Sequence, residues 1–521
     1  MRDRWSTLCS SIRRGRVPEN LGSAVAQTAR AHSARPALWA KGELLTYGDL
    51  LERAGGLAQR LRQSDIGPGD RVAILSERST TAYVAILAVL FAGAAYVPLN
   101  VRFPAARNRR ILESSGARAL ICSDLQEEAA GTLIGDLADL VVLVSGRDTA
   151  EPEERFPCEE EAGKLAYVFF TSGTTGAPKG VPISHKNVFA YLRGIRTQTE
   201  VTFEDRVMQV VDLTFDLSVH DIFLAWTCGA CLYSIPENGT LLCTRFIEEH
   251  EGTHWLSVPS AAALVKQAGL LTAGCMPSLK YSFFCGEALT GAVAESWATA
   301  APNSEIINIY GPTEATVAFS ACRYAPRQTQ PPAVVSLGEP FPEQHMGLFT
   351  EEGELVDDGV GEICLSGSQV TEGYWNAPGI TAERFFEADG RRWYRTGDLG
   401  RYVPGEGYAY LGRADRQVKI RGYRVELQEI ENAVRKVTGC DLAAVIPWPL
   451  EESGAALGCV AFIVGGSAVE AMDRLGELLP DYMVPSGIEQ LKEMPLNANG
   501  KIDHRALAQA MLPGHDRDRA A

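Results

Sequence analysis

Two short stretches carry residues whose types and spacing could do chemistry. The first, TSGTTGAPKG at residues 171–180, follows the apolar run AYVFF. Glycine lets backbone N–H groups converge on one point, and the threonine and serine hydroxyls add donors. Lys179 adds positive charge, so the loop suits a phosphate group. It is not the GxxxxGK[ST] loop, because Gly180 stands where serine or threonine is required. A plain flexible Gly/Thr turn is the alternative. The second stretch, DLTFDLSVHDIF at residues 212–223, sets Asp216 and His220 four apart in apolar surroundings. On a helix they would share one face. A metal site, a catalytic acid/base pair and the wall of a binding pocket all fit that spacing, although no third metal ligand is suggested.

Both stretches need a scaffold to hold them. Apolar runs bounded by turn residues, RVAILS (71–76), ARALICS (117–123), LVVLVS (140–145) and LAYVFFTS (165–172), alternate with helical patterns. That alternation predicts an α/β fold. Residues 82–99, AYVAILAVLFAGAAYVPL, are apolar for 18 positions, the minimum for a membrane span. Gly93 and Pro98 punctuate them, so a short buried helix followed by a buried strand is expected. After GRADRQVKIRGYRVE (412–426) the strand, helix and strand signals DLAAVIPW, LGCVAFIV and AVEAMDRLGELL predict a separate small α+β domain. The expected organisation is an extension over 1–20, a large domain over 21–414, a mobile domain over 415–512 and a tail over 513–521.

The 521 residues are 46% hydrophobic and 22% charged, enough for a sizeable core. A net charge of −16 argues against nucleic acid as the main ligand. The basic start MRDRWSTLCSSIRRGR lacks the apolar segment of a secretory signal. Twelve cysteines lack regular spacing, and Cys228 and Cys231 form the one CxxC, read as small buried residues on a strand. Reduced cysteines, no membrane association and a cytoplasmic location are expected.

Several further motifs occur in a fixed order: FAGAAYVPLN (91–100), YVFFTSGTTGAPKGVPISHKN (167–187), FDLS (215–218), NIYGPTEATVA (308–318), GEICLSGSQVTEGYW (361–375), YRTGDLGR (394–401), GRADRQVKIRGYRVE (412–426) and PLNANGKID (495–503). With these the chain resembles the adenylate-forming superfamily, which includes adenylation domains of nonribosomal peptide synthesis, acyl-CoA synthetases and luciferases. The resemblance runs over nearly the whole chain. It implies a large domain of two α/β sheet subdomains and a small β-barrel, with a mobile C-terminal domain. It also implies Mg-ATP as co-substrate and two half-reactions. A carboxylate first attacks the α-phosphate to form an acyl-adenylate; a thiol, usually of a phosphopantetheine arm, then attacks the adenylate.

By resemblance, Lys501 contacts the substrate carboxylate and the α-phosphate, Glu314 holds magnesium, and Thr175 and Lys179 join them in the catalytic set. Thr171, Ser172, Gly173, Thr174, Gly176, Gly286, Glu287, Gly311 and Thr313 fall around ATP. Tyr310 would stack on adenine, Asn308 would read its amine, and Asp398 would hold the ribose hydroxyls with help from Arg413. Asp415 matches the hinge about which Lys501 leaves and the 419–426 loop enters, with Lys419 and Gly422 on the thiolation side.

The pocket positions of the family fall on Asp216, Leu217, His220, Ser257, Phe283, Cys285, Ile309, Val317 and Ala318. Asp216 matches the acid that pairs with an α-ammonium, which acyl- and aryl-CoA synthetases generally lack. The apolar remainder suggests a small amino acid. The pattern is similar to stand-alone D-alanine–carrier-protein ligases, with departures at His220, Phe283 and Ile309. His220 is either a neutral spacer whose ring nitrogen meets backbone or a donor to a polar or acidic substrate group. No carrier signature is found, since Gly465, Gly466 and Ser467 read as a turn, so a separate carrier protein is expected as acceptor. The implied role is loading of a small amino acid in nonribosomal-peptide or macrolactam-type biosynthesis. The alternatives are an acyl- or aryl-CoA synthetase and a D-alanine ligase of cell-wall modification.

Overall fold

Buried apolar runs that alternate with helices form two mainly parallel sheets. The computed structural model describes residues 20–135, 140–145, 165–173, 178–237, 239–326, 331–356, 359–440, 442–450, 456–496 and 502–511. One six-stranded sheet runs, in spatial order, Val141–Val144, Ala119–Cys122, Arg71–Leu75, Ala95–Leu99, Leu165–Thr171 and Lys179–Ser184. Only its last pair is antiparallel, with Thr171 opposite Lys179. The second sheet has nine strands. Its central members, Glu305–Tyr310, Tyr281–Phe284, His254–Ser257, Arg206–Gln209 and Cys231–Ser234, are parallel to one another.

Helices packed between these sheets carry the largest core cluster. Helix Thr80–Phe91 starts at Ser79, whose hydroxyl accepts from the Ala82 amide, and strand Ala95–Leu99 follows Gly93 at φ +82°. Every residue from Ala82 to Phe91 is buried, as residues 82–99 predict for a buried helix and strand. No described helix is long and apolar enough to cross a membrane. Helix Leu217–Cys228 is buried through Trp226 and ends at Gly229, φ +82°. Cys228 therefore closes a helix and only Cys231 lies on a strand, which corrects the reading of both on one strand. The Gly229 turn separates them.

A five-stranded antiparallel sheet stands where a small barrel is expected. It is built around the 13-residue strand Arg391–Val403, which pairs with Gly361–Ser366, Phe385–Ala388 and Gly407–Arg413. Beyond Arg413 the chain forms the hairpin Gln417–Ile420/Tyr423–Glu426, helix Leu427–Thr438 and a three-stranded sheet. Helix and hairpin pack on one face of that sheet through Ile420, Val425, Ile430 and Val434. Ile502 packs with Ala444, Ile446, Val460 and Phe462 on the other face. Gly465 and Gly466 make a turn at φ +74° and +71° after strand Cys459–Val464.

Candidate active site

Parallel strands expose their carboxyl ends on one side of each sheet, where ligands of α/β folds gather. Strands ending at Ser257, Phe284 and Tyr310 bring Cys285, Gly286, Gly311 and Thr313 to one cleft. Thr171 and Ser172 reach it from the other sheet. The cavity there measures about 60 Å3 and also touches Asp216, Leu217, Val317, Lys419 and Arg424. The two stretches that open the sequence reading thus meet at one place, and the hairpin of the small domain forms its roof.

Asp216 caps helix Leu217–Cys228 and is 4% exposed. The Thr313 hydroxyl and the Val317 backbone hold its carboxyl, yet Oδ2 has no hydrogen-bond partner among the described residues. Burial pushes its pKa up to about 6, against the opposing pull of Thr313 and of Lys419. A buried carboxylate oxygen without a partner is costly unless a cation completes it. One turn on, His220 Nδ1 lies 2.5 Å from the Tyr191 hydroxyl, and burial lowers the imidazole to about 3, so the ring is neutral. The expected spacer contact with backbone is thereby corrected: the ring nitrogen meets a tyrosine side chain. That nitrogen is also taken, which removes it from donation to a substrate carboxyl.

His220, Ser257, Phe283, Ile309 and Ala318 do not border the 60 Å3 cavity. His220, Phe283, Ile309 and Ala318 are buried within the main core, behind Leu217, Cys285 and Val317. Ser257 is a correction of a different kind. Its hydroxyl accepts from Trp255 Nε1 and donates to the Val258 carbonyl, and the residue borders a neighbouring groove instead. Strand alternation explains this, since Ser257 is the last residue of its strand and the chain turns at Val258.

On the nucleotide side, the Asn308 amide donates to the Val335 and Ser336 carbonyls while its buried Oδ1 has no partner among the described residues. That leaves an acceptor suited to an exocyclic amine. Tyr310 donates to Asp398 Oδ2 at 2.7 Å, and Arg413 pairs with Asp398 Oδ1. Arg413 also holds both oxygens of Asp415 at 2.7 and 2.8 Å. Gly397, φ +77°, makes room for this knot, because a Cβ there would lie 2.5 Å from the guanidinium.

The hairpin of the small domain lies in the cleft. Arg424 Nη1 lies 2.7 Å from Glu314 Oε2, and Tyr374 donates to the other carboxylate oxygen at 2.6 Å. Burial alone would raise the Glu314 pKa; the Arg424 guanidinium, the Tyr374 hydroxyl and Lys179 together outweigh it and hold it at about 2. The Ser172 hydroxyl donates to the Arg424 carbonyl and accepts from the Glu426 amide. Gly173 N donates to Glu429, Lys179 Nζ lies 3.4 Å from Glu426, and Arg107 pairs with Glu429 at 2.6 Å. At the hairpin tip, the Gly422 amide donates to Glu287 Oε1 at 2.6 Å while Ser260 N donates to Oε2. Glu287 therefore clamps the hairpin with its side chain. Gly422, φ +85°, fits because a Cβ would lie 2.7 Å from Val258.

Thr174, Thr175, Gly176 and Lys501 lie outside the described residues. Sequence reasoning missed Arg424, Arg107, Glu426, Glu429, Tyr374 and Tyr191. A signal existed for the first: Lys419 and Arg424 are directly paired across the two-stranded ribbon. Two like charges side by side are unfavourable unless anions face them. Burial and Arg424 together lower the Lys419 pKa.

Glu314 fits a magnesium ion by its chemistry, being an ionised hard-oxygen donor whose remaining partners would be phosphates and water. Bound there, the ion would neutralise phosphate charge. Arg424 holds one of its two oxygens in this arrangement, so an ion bound there would have to compete with the arginine for it. Among the described residues no group of three His, Cys, Asp or Glu side chains could hold a metal, and the Asp216/His220 spacing is not one.

Comparison with known proteins identifies the class. Residues 25–375 match the AMP-binding enzyme family and residues 429–501 the AMP-binding enzyme C-terminal domain, so the chain belongs to the AMP-binding enzyme family. Its relatives are adenylation domains of the nonribosomal peptide synthetase type, and its fold is that of adenylate-forming enzymes. Tyrocidine synthase 2 of Brevibacillus parabrevis is 34% identical over 472 residues, 89% of this chain and 13% of that protein. The chain thus spans about an eighth of the length of that relative. Among solved structures, the adenylation domain AlmE of Vibrio cholerae, in complex with glycyl-adenosine-5'-phosphate, has a TM-score of 0.86 and 33% identity, covering 95% of this chain and 98% of that one. An artificially fused adenylation–PCP di-domain, NpsA-ThdA from Klebsiella oxytoca, has a TM-score of 0.77 and 25% identity, covering 90% of this chain and 93% of that one.

Proposed function

We propose that this protein adenylates a small α-amino acid, glycine first among them, and transfers it to the phosphopantetheine thiol of a separate carrier protein. The observation that carries the amino-acid reading is the unpartnered, buried Oδ2 of Asp216 at the end of a 60 Å3 cavity. An α-ammonium supplies the missing donors and charge at that oxygen. An acyl- or aryl-CoA synthetase would have no use for it. The glycyl-adenylate bound by AlmE favours the smallest side chains.

The chain's own residues divide the work between two arrangements of the small domain. In the first, Arg424 withdraws from Glu314, Glu426 and Glu429 leave Lys179 and Gly173, and these donors turn to the phosphates. Asp398, Tyr310 and Asn308 orient the nucleoside, and Asp216 orients the ammonium so that the carboxylate faces the α-phosphate. Lys501 supplies the positive charge shared between carboxylate and phosphate. In the second, the hairpin docks as described and Lys419 and Arg424 occupy the cleft. A groove of about 540 Å3 then opens beside Gly422 and Val258, with Arg78, Arg102 and Arg421 on its walls. It shares Phe215 and Tyr423 with the cleft, so it offers a thiol-bearing arm a route inward, past three arginines of which Arg102 pairs with Glu237.

The test is pyrophosphate exchange over glycine, D- and L-alanine, β-alanine, proline, and fatty and aryl acids. Loading of a phosphopantetheinylated carrier protein follows as the second assay. Exchange with small amino acids and thioester formation are expected. Exchange restricted to fatty or aryl acids overturns the reading.

A further inference from the structure

The amino-acid end of the cleft is closed by packed side chains. The cavity reaches Asp216, Leu217, Cys285 and Val317 and ends there. Immediately behind, His220 is 1% exposed and gripped from two directions. Phe283 meets its ring edge-on with centroids 5.1 Å apart. Tyr191 holds its Nδ1 by a 2.5 Å hydrogen bond. Tyr191 comes from helix His185–Ile195, fixed at its start by the reciprocal cap between Ser184 and Asn187. Its ring lies against Phe341, with centroids 6.3 Å apart. Phe341 can sit there because Gly194, further along the helix, has no side chain; a Cβ would fall 2.7 Å from the Phe341 ring. Tyr191 is fully buried and is none of the pocket positions expected from the sequence.

A neutral imidazole has one donor and one acceptor nitrogen. With Nδ1 engaged, rotating His220 out of place would strand the buried Tyr191 hydroxyl as well as the ring nitrogen. The pair is therefore stiff in a way that an apolar residue at position 220 would not be. We propose that Tyr191 is a positioning residue for substrate specificity, whose hydroxyl fixes His220 as the rigid backing of the floor made by Leu217, Cys285 and Val317 and so limits the substrate to glycine or a one-carbon side chain. The proposal rests on the amino-acid-activating reading above.

The test is pyrophosphate exchange with glycine, alanine, 2-aminobutyrate and valine, measured for wild type, Tyr191→Phe, His220→Ala and the double variant, with KM for ATP determined in each. Tyr191→Phe is expected to raise the KM for glycine about tenfold and to raise the 2-aminobutyrate-to-glycine ratio of kcat/KM by a similar factor, leaving the KM for ATP within about twofold. The double variant should be no more permissive than His220→Ala alone, because Tyr191 acts through His220. An unchanged ratio in Tyr191→Phe, a fully additive double variant, or an equal loss for glycine and ATP overturns the proposal. If His220→Ala does not fold, His220→Asn with and without Tyr191→Phe closes the same cycle, and the same criteria apply. The two readings fail differently. A wild-type protein that activates only fatty or aryl acids sinks the amino-acid reading. One that prefers valine leaves that reading standing and sinks the floor.

Discussion

Arg424 of the small domain lies 2.7 Å from Glu314 of the large domain. The carboxylate expected to hold magnesium thus forms a buried ion pair with an arginine carried in on the hairpin. A metal ion at Glu314 would have to displace Arg424 from that oxygen, so the expectation is that domain position and metal occupancy are coupled through one carboxylate.

Replacement of Arg424 by alanine removes the competitor. Thioester formation should fall at least tenfold, because the hairpin loses its anchor in the cleft. Pyrophosphate exchange should stay within about threefold of wild type and reach half-maximal rate at lower magnesium concentration. Exchange and thioester assays over a magnesium series test this, and equal losses in both half-reactions would count against the coupling.

Asp216 has a pH signature with a definite sign. Its folded pKa, about 6, lies above the ordinary carboxyl value of 3.8, so ionisation favours the unfolded chain. The penalty is absent below about pH 4, develops up to pH 6, and amounts to roughly 3 kcal/mol above it. Lys419 reduces that penalty and Glu314 adds to it. Asp216→Asn should therefore raise the melting temperature of the ligand-free protein at pH 8 more than at pH 4, while losing amino-acid activation. In the wild type, KM for the amino acid should fall as pH rises through 6. A KM that is flat from pH 5 to 8 would remove Asp216 from the ammonium site.

Arg107 and Glu429 form a buried pair across the two domains, and Glu429 also accepts from Gly173 of the phosphate loop. Breaking a buried pair from one side is costly, about 3–5 kcal/mol. Here the cost falls on one domain arrangement only. Arg107→Ala should increase proteolysis near residues 414–416 and slow thioester formation, with adenylation nearly preserved. Unchanged proteolysis would mean that the pair does not hold the domains together.

Most of the fold was legible in the sequence because its cause is local. Helix 80–91 and strand 95–99 follow from apolar runs punctuated at Gly93 and Pro98. Asp216, Cys285 and Thr313 stood out in the sequence through short motifs, and the structure brings these three to one cleft. Arg107, Glu426 and Glu429 were not, since each works through a partner far away in the chain. Tyr191 was illegible for the same reason, 29 residues from His220. Ser257 was placed in the pocket by resemblance alone, and in this arrangement it borders the neighbouring groove.

Ile502 packs on the face of the small sheet opposite the hairpin side. Lys501, next to it in the sequence, is the lysine assigned above to adenylation. Lys501→Ala should nearly abolish adenylate formation and spare transfer from a preformed aminoacyl-adenylate. Single-turnover transfer from synthetic adenylate makes the comparison, and equal loss in both steps would contradict the division of labour.

The most direct measurement is pyrophosphate exchange by the wild-type protein with glycine against acetate and propionate, which keep the carboxylate and lack the ammonium. Exchange with glycine, none with the two acids, and loss of the glycine signal in Asp216→Asn are the expected results. Exchange with acetate or propionate equal to that with glycine would contradict the assignment of Asp216 and, with it, the amino-acid substrate.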